Sequence, residues 1–313
     1  MKIIRARSAG FCFGVNHALT MLDRELGLVP ESNASLGGEA PGMEGPSSSK
    51  SVCGNRLVTL GPIIHNPLVM EHYSALGVVC SENLHDIHAG DRVLIRAHGI
   101  PCEMERALEA TGAVVIDATC PKVKQAQLSI QAKTADGKTL LLFGEKEHPE
   151  VRGLVSYAGG MAHVFSTLHE IAEALLEKAG DSQTTHAGEY VLAAQTTQDK
   201  ELFEKAREWL FSVLVTPPVV LNTICDATRR RQQEAMHIAE KVDAMVVVGG
   251  RNSGNTRRLA DVARAQGIPA FLAEQVSDLD AVALKGFARI GLTAGASTPA
   301  SHIEAVQEFL ARL

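Results

Sequence analysis

Residues Val114–Val123 read VVIDATCPKV. An apolar, largely β-branched run ends at Asp117, Cys120 follows at once, and Pro121 opens a helical pattern. This order predicts a buried strand, a turn carrying the cysteine, and a helix whose positive N-terminal end favours the thiolate. The same grammar recurs at residues 217–228, PPVVLNTICDAT, around Cys225, and at residues 2–15, KIIRARSAGFCFGV, around Cys12. A single free cysteine is most simply a small buried hydrophobe. Three in one setting, 108 and then 105 residues apart, predict one cysteine per lobe of a three-lobed molecule.

Outward from these points the chain alternates short apolar strands with amphipathic helices, the pattern of parallel α/β architecture. Strands are legible at RLVTLG, GVVC, RVLIRA, AVVIDA, TLLLFG, YVLAAQ, PVVLN, AMVVVG and ARIGLTAG. The fold class expected is α/β, with three similar parallel-sheet lobes at 1–118, 119–222 and 223–313. One stretch breaks the pattern: between Pro30 and Asn55, 14 of 26 residues are Pro, Gly or Ser. It lacks apolar periodicity and reads as a mobile insertion of the first lobe.

Ligands of open α/β sheets bind at strand carboxyl ends, and polar residues follow the strands here. His65, His98, His148 with Glu150, Thr196, Ser253 with Asn255, and Ser297 all occupy such positions. His148 and Thr196 lie 28 and 76 residues after Cys120, and Asn255 and Ser297 lie 30 and 72 after Cys225. His65 and His98 follow Cys12 by 53 and 86 residues, and removing an insertion of about 22 residues brings them to similar intervals. Each lobe is thus expected to supply one thiolate and two polar strand ends to a shared centre.

Composition bounds the function. The 313 residues carry a net charge of -6, which argues against a nucleic-acid surface. No apolar run is long enough to span a bilayer and no signal peptide opens the sequence, so a cytoplasmic protein is expected. Six cysteines without a CxxC pair suit neither a secreted disulfide framework nor a zinc ribbon. Three convergent thiolates could hold zinc or an iron-sulfur cluster with one iron free of protein ligands. The Cys120-Pro121 pair, similar to the end of ferredoxin cluster motifs, favours the cluster. The loop GGRNSGNT fits a phosphate-loop template at Gly249, Gly254 and Thr256, with Asn255 in place of the lysine. It can cradle phosphate through backbone N–H groups, Ser253 and Asn255. His148 and Glu150 can move protons.

Taken together, GFCFGV, GPIIHN, AHG, DATCPKV, HPEV, QTT, the Cys225 segment, NSGN and TAGAS resemble, in order and over nearly the whole chain, the 4-hydroxy-3-methylbut-2-enyl diphosphate reductase family. The resemblance implies a cloverleaf of three lobes around a 4Fe-4S cluster held by Cys12, Cys120 and Cys225. It implies a diphosphate pocket made by His65, His98, His148, Ser253, Asn255 and Ser297, with Thr196 and Glu150 near the reacting carbon. The activity implied is the last step of the methylerythritol phosphate route, a reductive dehydration of an allylic diphosphate to isopentenyl and dimethylallyl diphosphate. Ferredoxin or flavodoxin would be the electron donor, because no flavin or dinucleotide fingerprint is present. Gly254 departs from the family, standing where many members carry a second serine. The competing readings from residues alone are a metal-dependent hydrolase and an iron-sulfur sensor that binds a phosphorylated ligand.

Overall fold

The computed structural model describes residues 1–29, 56–64, 66–179, 188–251 and 253–313, so the expected insertion at 30–55 and His65 lie outside the described residues. The chain opens with β1 (Lys2–Arg5) and α1 (Phe13–Glu25). Next come β2 (Leu57–Leu60), α2 (Pro67–Ala75), β3 (Val79–Ser81), β4 (Arg92–Ile95), α3 (Cys102–Glu109) and β5 (Val114–Asp117). A second series holds α4 (Pro121–Thr134), β6 (Thr139–Phe143), α5 (Pro149–Ser156), β7 (Ala162–Phe165), α6 (Leu168–Ala179), β8 (Tyr190–Ala194), α7 (Lys200–Val213) and β9 (Val219–Val220). The third holds α8 (Asp226–Ala239), β10 (Ala244–Val248), α9 (Gly254–Ala265), β11 (Ala270–Ala273), α10 (Ala281–Leu284), β12 (Arg289–Ala294) and α11 (Ala300–Arg312).

Three four-stranded parallel sheets result, ordered β3-β2-β4-β5, β7-β6-β8-β9 and β11-β10-β12-β1. The strand order is the same in each. The nine apolar strands read from the sequence, and the strand expected before Cys12, are all present. Two more, β7 and β11, escaped that reading because AHVF and AFLA are short edge strands of mixed burial. The central strands are largely apolar, and β8 and β10 are buried along their whole length. Helices cover both faces of every sheet, giving each lobe two apolar clusters, such as those centred on Leu94 and Ile95 in the first.

The first strand changes the lobe boundaries. β1 was expected to open the lobe of residues 1–118, but it pairs in register with β12, Lys2 opposite Arg289 and Arg5 opposite Leu292. It is the fourth strand of the third sheet, equivalent to β5 in the first and β9 in the second. The strand before each cysteine therefore belongs to one sheet, and the helix after it packs on the next. Ala18, Leu19 and Leu22 of α1 join the first lobe's core, and Ala126 and Ile130 of α4 join the second's. Ala235 and Ile238 of α8 join the third's. Each cysteine stands at a crossing between lobes. The strand before Cys120 is also a partly exposed edge strand rather than a buried one, with Val114 53% exposed.

Candidate functional site

Cys12, Cys120 and Cys225 are the N-cap residues of α1, α4 and α8. Each backbone N–H reaches across to the tip of the neighbouring strand. Cys12 donates to the Ala296 carbonyl at 3.1 Å, Cys120 to Ala97 at 2.9 Å and Cys225 to Thr196 at 2.9 Å. The three acceptors lie two residues beyond β12, β4 and β8, so one local arrangement is repeated in all three lobes. An ideal Cβ placed on Gly14 would sit 2.5 Å from the Cys120 sulfur, so only a hydrogen at this position lets α1 approach Cys120 closely.

The three thiols act on one another electrostatically. Burial pushes the Cys120 thiol up, the backbone N–H groups of Lys122 and Val123 oppose this, and the nearby Cys12 and Cys225 push it further up. The sequence-based expectation of a stabilised thiolate is thus corrected for Cys120: dehydration outweighs the helix N-terminus. Arg231, 5% exposed, interacts with Cys12 and Cys225 and donates to the Ser8 and Gly10 carbonyls at 2.8 and 2.6 Å. A set of soft sulfur donors that repel one another as anions, on backbone held in place by paired N–H groups, fits a cationic iron-sulfur group. Among the described residues, no cluster of His, Cys, Asp or Glu side chains forms a single-ion metal site.

Polar residues stand at the strand ends whose carbonyls hold the cysteines, and at the start of α9. The rings of His98 and His148 meet edge to face, with centroids 5.4 Å apart. His148 caps α5, its Nδ1 accepting the Glu150 N–H at 3.1 Å. A ring that accepts at Nδ1 is not doubly protonated, so its proton resides on Nε2. The Glu150 carboxyl, 2% exposed, accepts the Thr196 backbone N–H at 2.6 Å and the Thr196 hydroxyl at 3.0 Å. Burial pushes its pKa up to about 7, with the two Thr196 bonds opposing. The carboxyl thus serves as more than a first-turn helix acid: it faces the residue whose carbonyl holds Cys225.

The third lobe contributes the start of α9. Ser253 caps it by accepting the Thr256 N–H at 3.4 Å. Asn255 is 5% exposed, and its buried Nδ2 has no hydrogen-bond partner among the described residues. The Ser297 carbonyl accepts from Asn66 at 3.0 Å, joining the first and third lobes. Gly249, with φ of +143°, lets the chain pass Thr256 and Thr298 where a Cβ would lie within 2.8 Å of both hydroxyls. At Gly254 a Cβ would stand 3.2 Å from Glu145, whose carboxylate bridges to Arg257 and Arg258 at 3.0 and 2.9 Å. An acidic side chain of the second lobe therefore borders the space where a second serine would project.

One residue escaped the sequence reading. Thr197 follows Thr196 as His98 follows Ala97 and Ser297 follows Ala296, so in register it is the counterpart of His98 and Ser297. Its buried Oγ1 has no partner among the described residues. The doubled threonine in QTT was the available signal, and only the cysteine N–H register distinguishes its two members.

Fold and site define a three-lobed α/β protein with a cysteine at each lobe junction and histidine, threonine, serine, asparagine and carboxyl side chains at the neighbouring strand ends. The chain belongs to the LytB protein family, which matches residues 47–311. It is 53% identical over 313 residues to the 4-hydroxy-3-methylbut-2-enyl diphosphate reductase of Nitratidesulfovibrio vulgaris (strain DP4), covering 100% of both chains. It is 38% identical over 311 residues to the reductase of the same name from Aquifex aeolicus (strain VF5), covering 98% and 95%. A solved structure of (E)-4-hydroxy-3-methyl-but-2-enyl diphosphate reductase, the terminal enzyme of the non-mevalonate pathway, superposes with a TM-score of 0.65 at 36% identity, covering 100% of this chain and 99% of the other. The Plasmodium falciparum E-1-hydroxy-2-methyl-but-2-enyl-4-diphosphate reductase shares the fold, with a TM-score of 0.81 at 24% identity over 100% of this chain and 87% of the other.

Proposed function

We infer that this chain is an oxidoreductase that converts 4-hydroxy-3-methylbut-2-enyl diphosphate, two electrons and two protons into isopentenyl or dimethylallyl diphosphate and water. The full-length relatives named as reductases support this reading over a metal-dependent hydrolase or a sensor. One observation in the structure carries it: the hydrogen-bonded path from Glu150 through Thr196 to Cys225 joins a proton-holding group to the thiol centre.

The diphosphate is held by His98, His148, Ser253, Asn255 and Ser297, with His65 in the same role by resemblance. Asn255 Nδ2 and the Nε2–H of His148 donate to its oxygens, and Thr197 adds a hydroxyl. The low net charge of these groups suits an anion that must leave once it has become product. Glu150, whose pKa burial raises to about 7, holds a proton near neutral pH far more readily than an ordinary carboxylate. That proton goes to the departing hydroxyl, with Thr196 fixing the carboxyl's orientation. Cys12, Cys120 and Cys225 would hold a 4Fe-4S cluster, which would relay the two electrons one at a time and supply Lewis acidity. Electrons come from ferredoxin or flavodoxin in the cytoplasm, and no described helix is long and apolar enough to cross a membrane. The test is anaerobic turnover of the allylic diphosphate with reduced viologen. Formation of the two isomeric diphosphates supports the reading, and release of inorganic phosphate or no reaction contradicts it.

A further inference from the structure

We propose that the outer face of α4 is the docking surface for the external electron donor, and that it fits a small acidic electron-carrier protein. This rests on the reductase reading above and adds to it the place and chemistry of the contact.

A groove of about 690 Å³ runs along α4 past Pro121, Gln125, Leu128 and Lys133, with Leu221 on its far wall. Both walls lead to the thiol centre. Pro121 is one peptide bond from Cys120, and Leu221 is four residues before Cys225. Phe13, which follows Cys12, is 55% exposed, and its neighbour Gly14 touches the Cys120 side chain. Pro121 and Asp226, the residues after the other two cysteines, are exposed as well. The thiol centre thus has one side within a residue or two of solvent, and the groove begins there. A carrier seated on it touches Pro121 and Leu221, one and four residues from Cys120 and Cys225.

Polarity selects the partner. In a chain of net charge -6, α4 carries Lys122, Lys124 and Lys133 and no carboxylate. Lys124 is engaged by Glu105 and Asp117 at 2.8 and 3.1 Å, whereas Lys122 and Lys133 are exposed and form no ion pair among the described residues. Leu128, 52% exposed between them, supplies an apolar centre. An exposed leucine flanked by two unpaired lysines is complementary to a carrier whose redox centre lies in an apolar patch rimmed by carboxylates. No bond forms in the contact. The carrier loses one electron per encounter and the enzyme gains it, so two encounters supply each turnover.

The test titrates the anaerobic holoenzyme with an oxidised acidic ferredoxin by calorimetry at low and high salt, comparing wild type with the double variant Gln125→Glu, Lys133→Glu. Turnover is followed with reduced ferredoxin and, separately, with reduced viologen, which needs no docking surface. We expect ferredoxin affinity to fall about tenfold or more at low salt, with the difference shrinking as salt screens it. KM for ferredoxin should rise in step while viologen-driven turnover stays at the wild-type level. Wild-type ferredoxin affinity in the variant overturns the surface whatever the dye assay gives. Absence of viologen-driven turnover in the wild type overturns the reductase reading itself, and the docking proposal with it.

Discussion

The Thr196 carbonyl accepts the Cys225 backbone N–H at 2.9 Å while the Thr196 N–H and hydroxyl hold the Glu150 carboxyl. One threonine therefore fixes the distance between a candidate acid and a candidate cluster ligand. Replacing Glu150 with Gln keeps the shape and the acceptor for the Thr196 N–H but removes the transferable proton. The Glu150→Gln enzyme should bind substrate and retain its iron while turnover falls by roughly two orders of magnitude. Near-normal turnover would move the proton source to another group.

The same carboxyl sets a pH dependence. Its folded pKa of about 7 lies above the ordinary 4.5 because burial disfavours the charge. A raised folded pKa means that the group's contribution to stability is fully present below pH 4.5 and is lost as pH rises through 7. The shift corresponds to roughly 3 kcal/mol. The stability difference between Glu150→Gln and wild type should therefore grow in favour of the variant from pH 4.5 to 8. Denaturant titrations across that range that give a constant difference would show that Glu150 ionises normally.

Gly14 tests the close approach of two lobes. Its absent Cβ would fall 2.5 Å from the Cys120 sulfur and 2.9 Å from the Cys120 Cβ, so a methyl group there must displace one cysteine. Gly14→Ala should lower iron content and reduce stability by about 1–3 kcal/mol, read as iron per chain and Tm. Full iron with an unchanged Tm would show that the junction is looser than drawn.

How much of this was legible in sequence follows from what each element depends on. The apolar runs of β2, β6, β8 and β10 are read directly, because a strand buried on both faces has to be apolar. Cys12, Cys120 and Cys225 stood out by repeated local context. The pairing of β1 with β12 was not legible, since four residues, KIIR, carry no label for the sheet they join. Edge strands β7 and β11 were missed because each is only four residues long and mostly half-buried, too short to stand out from the loops beside it. The direction of the Cys120 shift was misread because burial by neighbouring lobes is a tertiary property. His65 and the 30–55 insertion lie outside the described residues, and the roles assigned to the diphosphate-binding residues remain proposals.

Thr197 separates pocket from scaffold. Its hydroxyl is buried without a partner among the described residues, so Thr197→Val removes no internal hydrogen bond and should leave Tm unchanged or slightly higher. Pyrophosphate affinity should fall about tenfold or more, the cost of one hydrogen bond to an anion. Asn255→Ala should weaken pyrophosphate and substrate alike. Unchanged calorimetric affinity in Thr197→Val would remove that residue from the pocket.

The central claim is that three cysteines at the three lobe junctions hold one cluster, and iron and acid-labile sulfide per chain in anaerobically purified serine variants test it most directly. Serine at Cys12, Cys120 or Cys225 should remove most of the iron and sulfide, whereas serine at Cys80 or Cys102 should leave the wild-type 4Fe-4S content. Full cluster content in the Cys225→Ser protein, or its loss in Cys102→Ser, would contradict the account.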